Sequence, residues 1–254
     1  MSSGGSGSLS TLRAMYGATL VGTFVGVFLS GIVSMQVYMY SRVYSKDHIG
    51  IKCMVVLVWA MDLLHTCLIC VASWMDLVEY FGEWDHLDWI TWSVGASVAL
   101  TALVTFLVHC FFIHRIYIIS NRNLYLTVPL AVLALFRLAA ATASTSEMIR
   151  LSSYSGFVKR YGYIFTMGLS SAVALDIAIT GAMCFFLRRG KSQLSTMNDI
   201  IDTLVLYTVE TGMITCLTTI ASLACWVSMH NNNLIFLGLH FTISKLYANS
   251  LLAM

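Results

Sequence analysis

The chain has 254 residues, of which 58% are hydrophobic and 10% charged, with a single proline and a formal net charge of +2. A soluble domain of this size would carry about 25% charged residues, so the excess apolar surface calls for lipid rather than a larger core. A net charge this close to zero makes no electrostatic claim on nucleic acid.

In chain order, residues 1–12 are rich in Gly and Ser and are expected to form a disordered tail. Residues 13–254 carry seven apolar runs, at about 15–40, 53–78, 90–113, 124–145, 163–187, 200–228 and 234–252. Each is long enough to span a bilayer, which takes about 20 residues. The expected fold is an all-α bundle of seven transmembrane helices.

The first run has small residues at four-residue spacing: Ala14, Ala18, Gly22, Gly26, Ser30 and Ser34. Such a stripe lets another helix approach closely. Packing inside the molecule is favoured over an oligomer formed through the Gly22/Gly26 face. Pro129 near the start of the fourth run is expected to bend that helix. No internal repeat of the kind found in many transporters is visible.

Loop charge sets the orientation. Arg42, Lys46, Lys52, Arg115, Arg122, Arg188, Arg189 and Lys191 fall on one side, against Arg13, Arg150, Lys159 and Arg160 on the other. The richer side is expected to be cytoplasmic, with the N-terminus outside and the C-terminus inside. The seven cysteines lie in or beside apolar runs and suggest no disulfide framework. Cys67 and Cys70 form a C-x-x-C on an apolar helix and read as two small buried residues.

The informative residues are the ionisable ones inside these runs. A charged side chain at the bilayer centre costs about 2.5–3.5 kcal/mol on insertion scales, so one that persists has a partner or a task. At about 1.5 Å per residue, four to six ionisable groups, drawn from Asp62, His65, Glu210, Lys245, Asp176 and Arg137, fall in one slab around the midplane. Asp62, His65 and Thr66 share a helix face, and Lys245 shares one with Thr242 and Asn249. Asp202 is a further intramembrane carboxylate.

Glu210 and Lys245 are expected to pair between helices six and seven. Asp62 beside His65 suggests a proton relay or a held tautomer. His109, His114 and His240 are expected near the membrane edges. The ligand and proton-relay candidates are therefore Asp62, His65, Thr66, Glu210, Lys245 and Asn249, with Arg137, Asp176 and Asp202 secondary. No convergent set of metal ligands appears, and no cofactor is expected.

Four segments carry a resemblance: Asp62-Leu-Leu-His65-Thr66, Val108–Tyr117, Ile201-Asp202 with Glu210-Thr-Gly212, and Ser244–Ala253. Together they resemble a large fungal, mainly mushroom-type, family of seven-span integral membrane proteins catalogued as a domain of unknown function. The resemblance implies a fold and a membrane location, plasma membrane or endomembrane, but no activity. Members of that family usually continue past the last segment into a polar tail, whereas this chain stops at Met254.

Three functions fit these residues. The first is receptor-like binding of a small lipophilic or amphipathic molecule. The second is proton-coupled transport through the midplane groups. The third is an intramembrane enzyme, such as a terpene cyclase, with Asp62 or Glu210 as general acid. The bland alternative is a set of buried ion pairs that only orient helices. Membrane lipid is the one partner that every reading requires.

Overall fold

In the computed structural model, residues 4–44, 47–83, 88–191, 198–229 and 234–253 are described. Their side chains are described within 16–44, 47–83, 88–189, 206–228 and 234–253. Among the described residues seven α-helices follow one another: α1 Gly4–Val43, α2 Ile49–Trp74, α3 Trp92–Ile119, α4 Leu124–Leu151, α5 Tyr154–Lys191, α6 Asn198–Met229 and α7 Ile235–Leu252. A π turn, Met75–Glu79, extends α2. Helix α1 starts at Gly4, earlier than the apolar run alone suggests.

Helices α1 to α6 are long and apolar enough to cross a membrane, so the chain is a multi-pass membrane protein. Apolar side chains cover the outside, among them Phe24, Phe28, Leu64, Leu103, Val132, Phe185 and Leu217. In lipid such residues need no burial, and a helix satisfies its own backbone. Helix α7 differs. It carries His240, Thr242, Ser244, Lys245, Asn249 and Ser250 within 18 residues, and all of these except the half-buried Asn249 are buried.

Neighbours in sequence are neighbours in space: α1 packs on α2, α2 on α3, and so on to α6 on α7, and α7 closes the ring against α1. Helices α3 and α7 also meet across the middle. The closure depends on two glycines. A Cβ at Gly22 would collide with the backbone of Gly238, and a Cβ at Gly238 with that of Ala18. The small-residue stripe of α1 therefore faces α7, and Gly26 lies under Ile69 of α2.

The apolar interior falls into two clusters. One holds Ile69, Val94, Val98, Phe157, Phe165, Trp226, Phe236 and Phe241. The other holds Val33, Val58, Val104, Val108, Phe112, Leu175, Met183 and Tyr247. Between them, along α2, α3 and α7, lie Asp62, His65, Thr101 and Lys245, all buried.

Loops add specific ties. Asp88 accepts hydrogen bonds from the backbone N–H of Ser155 (2.7 Å) and the hydroxyls of Ser153 (2.5 Å) and Ser155 (2.8 Å). A carboxylate from the α2–α3 connection thus caps the first turn of α5, where the backbone N–H groups lack helical partners. Asn123 caps α4 through Tyr125 N–H at 3.1 Å. Pro129 lies inside α4, at its sixth residue, where it removes one bond from the helical ladder.

Cys67 and Cys70 are exposed on α2 and not buried, contrary to expectation, because both fall off the buried face of Asp62, His65 and Ile69. All seven cysteines are free thiols.

Candidate functional site

The helical period decides which polar residues meet. On α2, Asp62, His65, Ile69, Ala72 and Ser73 form the buried face. The facing stripe on α1 is Thr19, Thr23 and Ser30, also buried. Their hydroxyls and carboxylate interlock along the antiparallel pair: Thr23 with Ser73 at 2.7 Å, Ser30 donating to Asp62 Oδ2 at 2.5 Å, and Trp59 Nε1 donating to Ser34 at 3.1 Å.

Lys245 of α7 enters this seam. Its ammonium lies 2.9 Å from Asp62 Oδ1, with both side chains fully buried. It donates to the backbone carbonyl of Asp62 at 2.7 Å and to the Thr66 hydroxyl at 2.6 Å. The Oδ1 contact is coulombic rather than a well-aligned hydrogen bond. An ammonium has three donors, and three oxygens surround this one. The pairing answers the cost of charge in hydrocarbon.

The expected Glu210–Lys245 pair does not form. Glu210 is exposed on the outer face of α6. Thr208, Thr215, Thr219 and Ser222 define the buried face of that helix, and a residue two positions after Thr208 points about 200° away from it. Lys245 takes Asp62 instead. Nor do Asp62 and His65 bond each other. They share a face, but His65 Nε2 pairs with the Thr101 hydroxyl of α3 at 3.1 Å, while its Nδ1 has no partner. Asn249 folds back on Lys245, its amide donating to the Lys245 carbonyl at 2.9 Å. The side chain of Asp202 lies outside the described residues.

A second cluster forms on another face of α7. Tyr247 donates to Asp176 Oδ2 of α5 at 2.6 Å. The other oxygen of Asp176 lies 3.1 Å from His109 Nε2 of α3. Arg137 of α4 reaches His109 Nδ1 at 3.1 Å, and its guanidinium lies 5.2 Å from the centre of the Tyr247 ring. Four helices contribute, and the cation and the carboxylate balance. A cavity of about 20 Å³ adjoins it, lined by Thr208, Thr211 and Thr215 of α6.

His109 and His240 were expected near the membrane edges, and both are buried. The apolar run that ends at 113 stops short of helix α3, which continues to Ile119, so His109 sits ten residues inside it. His240 is held in the bundle because α7 is enclosed by its neighbours. Neither ring nitrogen of His240 has a hydrogen-bond partner. It lines a second cavity of about 40 Å³ with Thr101, Arg137 and Ser144. That volume holds a water or two, and the few polar groups in its mostly apolar lining offer the partners that buried water needs. The cavity lies between the two clusters, touching Thr101 of one and Arg137 of the other. His114 is exposed.

The residues that sequence reasoning missed are Ser30, Thr101 and Tyr247. Ser30 lay within the small-residue stripe and read as packing. The hydroxyls of α1 at positions 19, 23, 30 and 34 carried the signal, since they repeat on one helical face.

No group of three or more potential metal ligands occurs among the described residues. The two cavities beside the polar clusters are water-sized, and the ligand-sized volumes lie elsewhere. One of about 650 Å³ is bounded by α1, α6 and α7 at Gly17, Val25, Ile214, Thr218, Leu239 and Leu246.

No curated protein and no solved structure matches the chain. Residues 172–254 match the model described as a family of unknown function, DUF6534, a segment that includes Asp176, Glu210, Lys245 and Tyr247 but not Asp62, His109 or Arg137. Over that part the chain is similar to the family, and the family brings no activity with it.

Proposed function

We propose that this protein is a receptor-like membrane protein in which a small lipophilic molecule, entering from the bilayer, acts on α7. All seven helices, α7 included, cross the membrane in this reading, with the N-terminus outside. Helix α7 at 18 residues is about 27 Å long, close to the thickness of the hydrocarbon core.

One observation carries the reading. The helix that borders the 650 Å³ groove also holds both polar clusters, through Lys245 to α1 and α2 and through Tyr247 to α3, α4 and α5. The groove volume is within the usual range for small-molecule sites, about 300–1,000 Å³. An occupant pressing on Gly238, Leu239, Thr242 and Leu246 bears on the same rigid element, and shifting it strains one or both clusters. A shift of α7 that breaks one pairing while the other holds would be a discrete rearrangement of the kind that switching uses.

The second reading, a proton-coupled carrier, is favoured by the unpartnered His65 and His240 nitrogens and the water-sized cavities beside Arg137 and His109. The intramembrane acid of a cyclase has less support. Asp62 is held by an ammonium and a hydroxyl, and Glu210 faces outward.

Native mass spectrometry of protein purified gently from its own membranes tests the proposal. A specific lipophilic adduct is expected, lost when Leu246→Trp fills the groove and kept in Glu210→Gln. Bare protein, or bulk phospholipid alone, overturns the receptor reading. Proton uptake by sealed proteoliposomes, abolished in His240→Leu, would favour the carrier.

A further inference from the structure

At the ends of α1, α3 and α7 and the start of α2, a separate cavity of about 330 Å³ opens. Its lining is amphipathic. Met54, Val55, Phe111 and Leu251 form an apolar floor, while Tyr40, Tyr44, Asp47 and Arg115 form a polar rim. The rim is partly preassembled: Tyr40 stacks on Tyr44 with ring centres 5.6 Å apart, and its hydroxyl donates to Asp47 Oδ2 at 3.1 Å.

The informative residue is Arg115. Every other half-buried or buried cation in the described bundle has a partner: Lys245 has Asp62, Arg137 has His109, and Lys52 also makes an interaction. Arg115 is half-buried and, among the described residues, has neither an ion pair nor a hydrogen bond. It lies four residues from the end of α3, about 6 Å from that end, where a membrane-spanning helix passes from hydrocarbon towards the headgroups. A guanidinium presents five donors in a planar fork that matches phosphate geometry. Asp47 opposes an anion, but it makes no ion pair with Arg115, and its Oδ2 accepts the Tyr40 hydroxyl.

We infer that this cavity is a binding site for an anionic glycerophospholipid. Arg115 holds the phosphate, the tyrosine hydroxyls sit at the headgroup, and the first part of an acyl chain lies on Met54, Val55, Phe111 and Leu251. Basic side chains between transmembrane helices are a recognised means of holding lipid headgroups, and Arg115 is, among the described residues, the one cation lining this cavity. Because Leu251, Leu252 and Ala253 line it, the lipid would brace the end of α7, one turn beyond Tyr247. The site is distinct from the lateral groove and does not depend on the reading given to that groove.

The test uses the full chain, delipidated in detergent and titrated with phosphatidylglycerol, phosphatidylcholine or glycerol phosphate, with adducts counted by native mass spectrometry. Phosphatidylglycerol is expected to bind at least tenfold more tightly than phosphatidylcholine. Arg115→Gln should remove that preference, and Arg160→Gln at the opposite end should leave it intact. Leu252→Trp, which blocks the cavity without touching the charge, should weaken phosphatidylglycerol equally and serves if Arg115→Gln does not fold. Equal binding of the two lipids, or an undiminished preference in Arg115→Gln or Leu252→Trp, overturns the inference. So does glycerol phosphate competing as well as the lipid, which would make the ligand a soluble phosphate.

Discussion

Lys245 and Asp62 meet 2.9 Å apart across the α7–α2 interface, and neither exposes any side-chain surface. The ammonium also holds the carbonyl of Asp62 and the hydroxyl of Thr66, so α7 is bound to one short segment of α2 through three oxygens. Two residues further on, Tyr247 binds α5 through Asp176. Two residues about 200° apart on one turn of a single helix thus fix opposite parts of the bundle.

Glu210 makes no such bond. It is exposed on α6, so Glu210→Gln should change thermal stability in detergent by no more than about 0.5 kcal/mol. A loss of several kcal/mol would place this carboxylate in the interior.

The second cluster predicts an order of costs. Tyr247→Phe removes one donor from the buried Asp176 and should cost about 1–3 kcal/mol. Asp176→Leu leaves the Arg137 guanidinium without its balancing carboxylate and should cost about 3–5 kcal/mol. Denaturation midpoints of the two variants check the order, and a reversed order would contradict the balance of charge described for this cluster.

Close approach of α1 and α7 predicts a contrast between glycines. Gly22→Val meets the backbone of Gly238 and should destabilise by about 1–3 kcal/mol. Gly17→Ala, with nothing within 4 Å of its Cβ, should be neutral or slightly stabilising, since Ala is a better helix former. Thermal unfolding of the two variants side by side reads the difference.

Asp88 predicts a local effect. Asp88→Ala removes the cap of α5 and should cost about 0.5–2 kcal/mol. Faster hydrogen exchange confined to Ser155 and its neighbours is the expected signature, and unchanged exchange there would show that the carboxylate does not cap the helix.

The fold was legible because lipid simplifies the problem. Apolar runs of sufficient length mark helices whatever they pack against, and six of the seven meet that criterion directly. The polar layer was legible for the same reason, since charge in hydrocarbon stands out. The pairing was not. Depth along a helix follows from counting, but the direction a side chain faces needs the identity of the neighbouring helices. Glu210 and Lys245 lie at similar depths on adjacent helices, yet the face of α6 that turns inward is the threonine face. His109 was misplaced by an end effect, because the polar residues His114 and Arg115 cut the apolar run short while the helix continued.

A double-mutant cycle on Asp62 and Lys245 tests the central claim most directly. Lys245→Met and Asp62→Asn should each cost about 3–5 kcal/mol, because each strands a buried charge. The double variant should cost less than the sum of the two by a few kcal/mol, as contacting residues do. The same cycle on Glu210 and Lys245 should be additive. Additive losses for Asp62 and Lys245, with coupling between Glu210 and Lys245 in their place, would contradict the account.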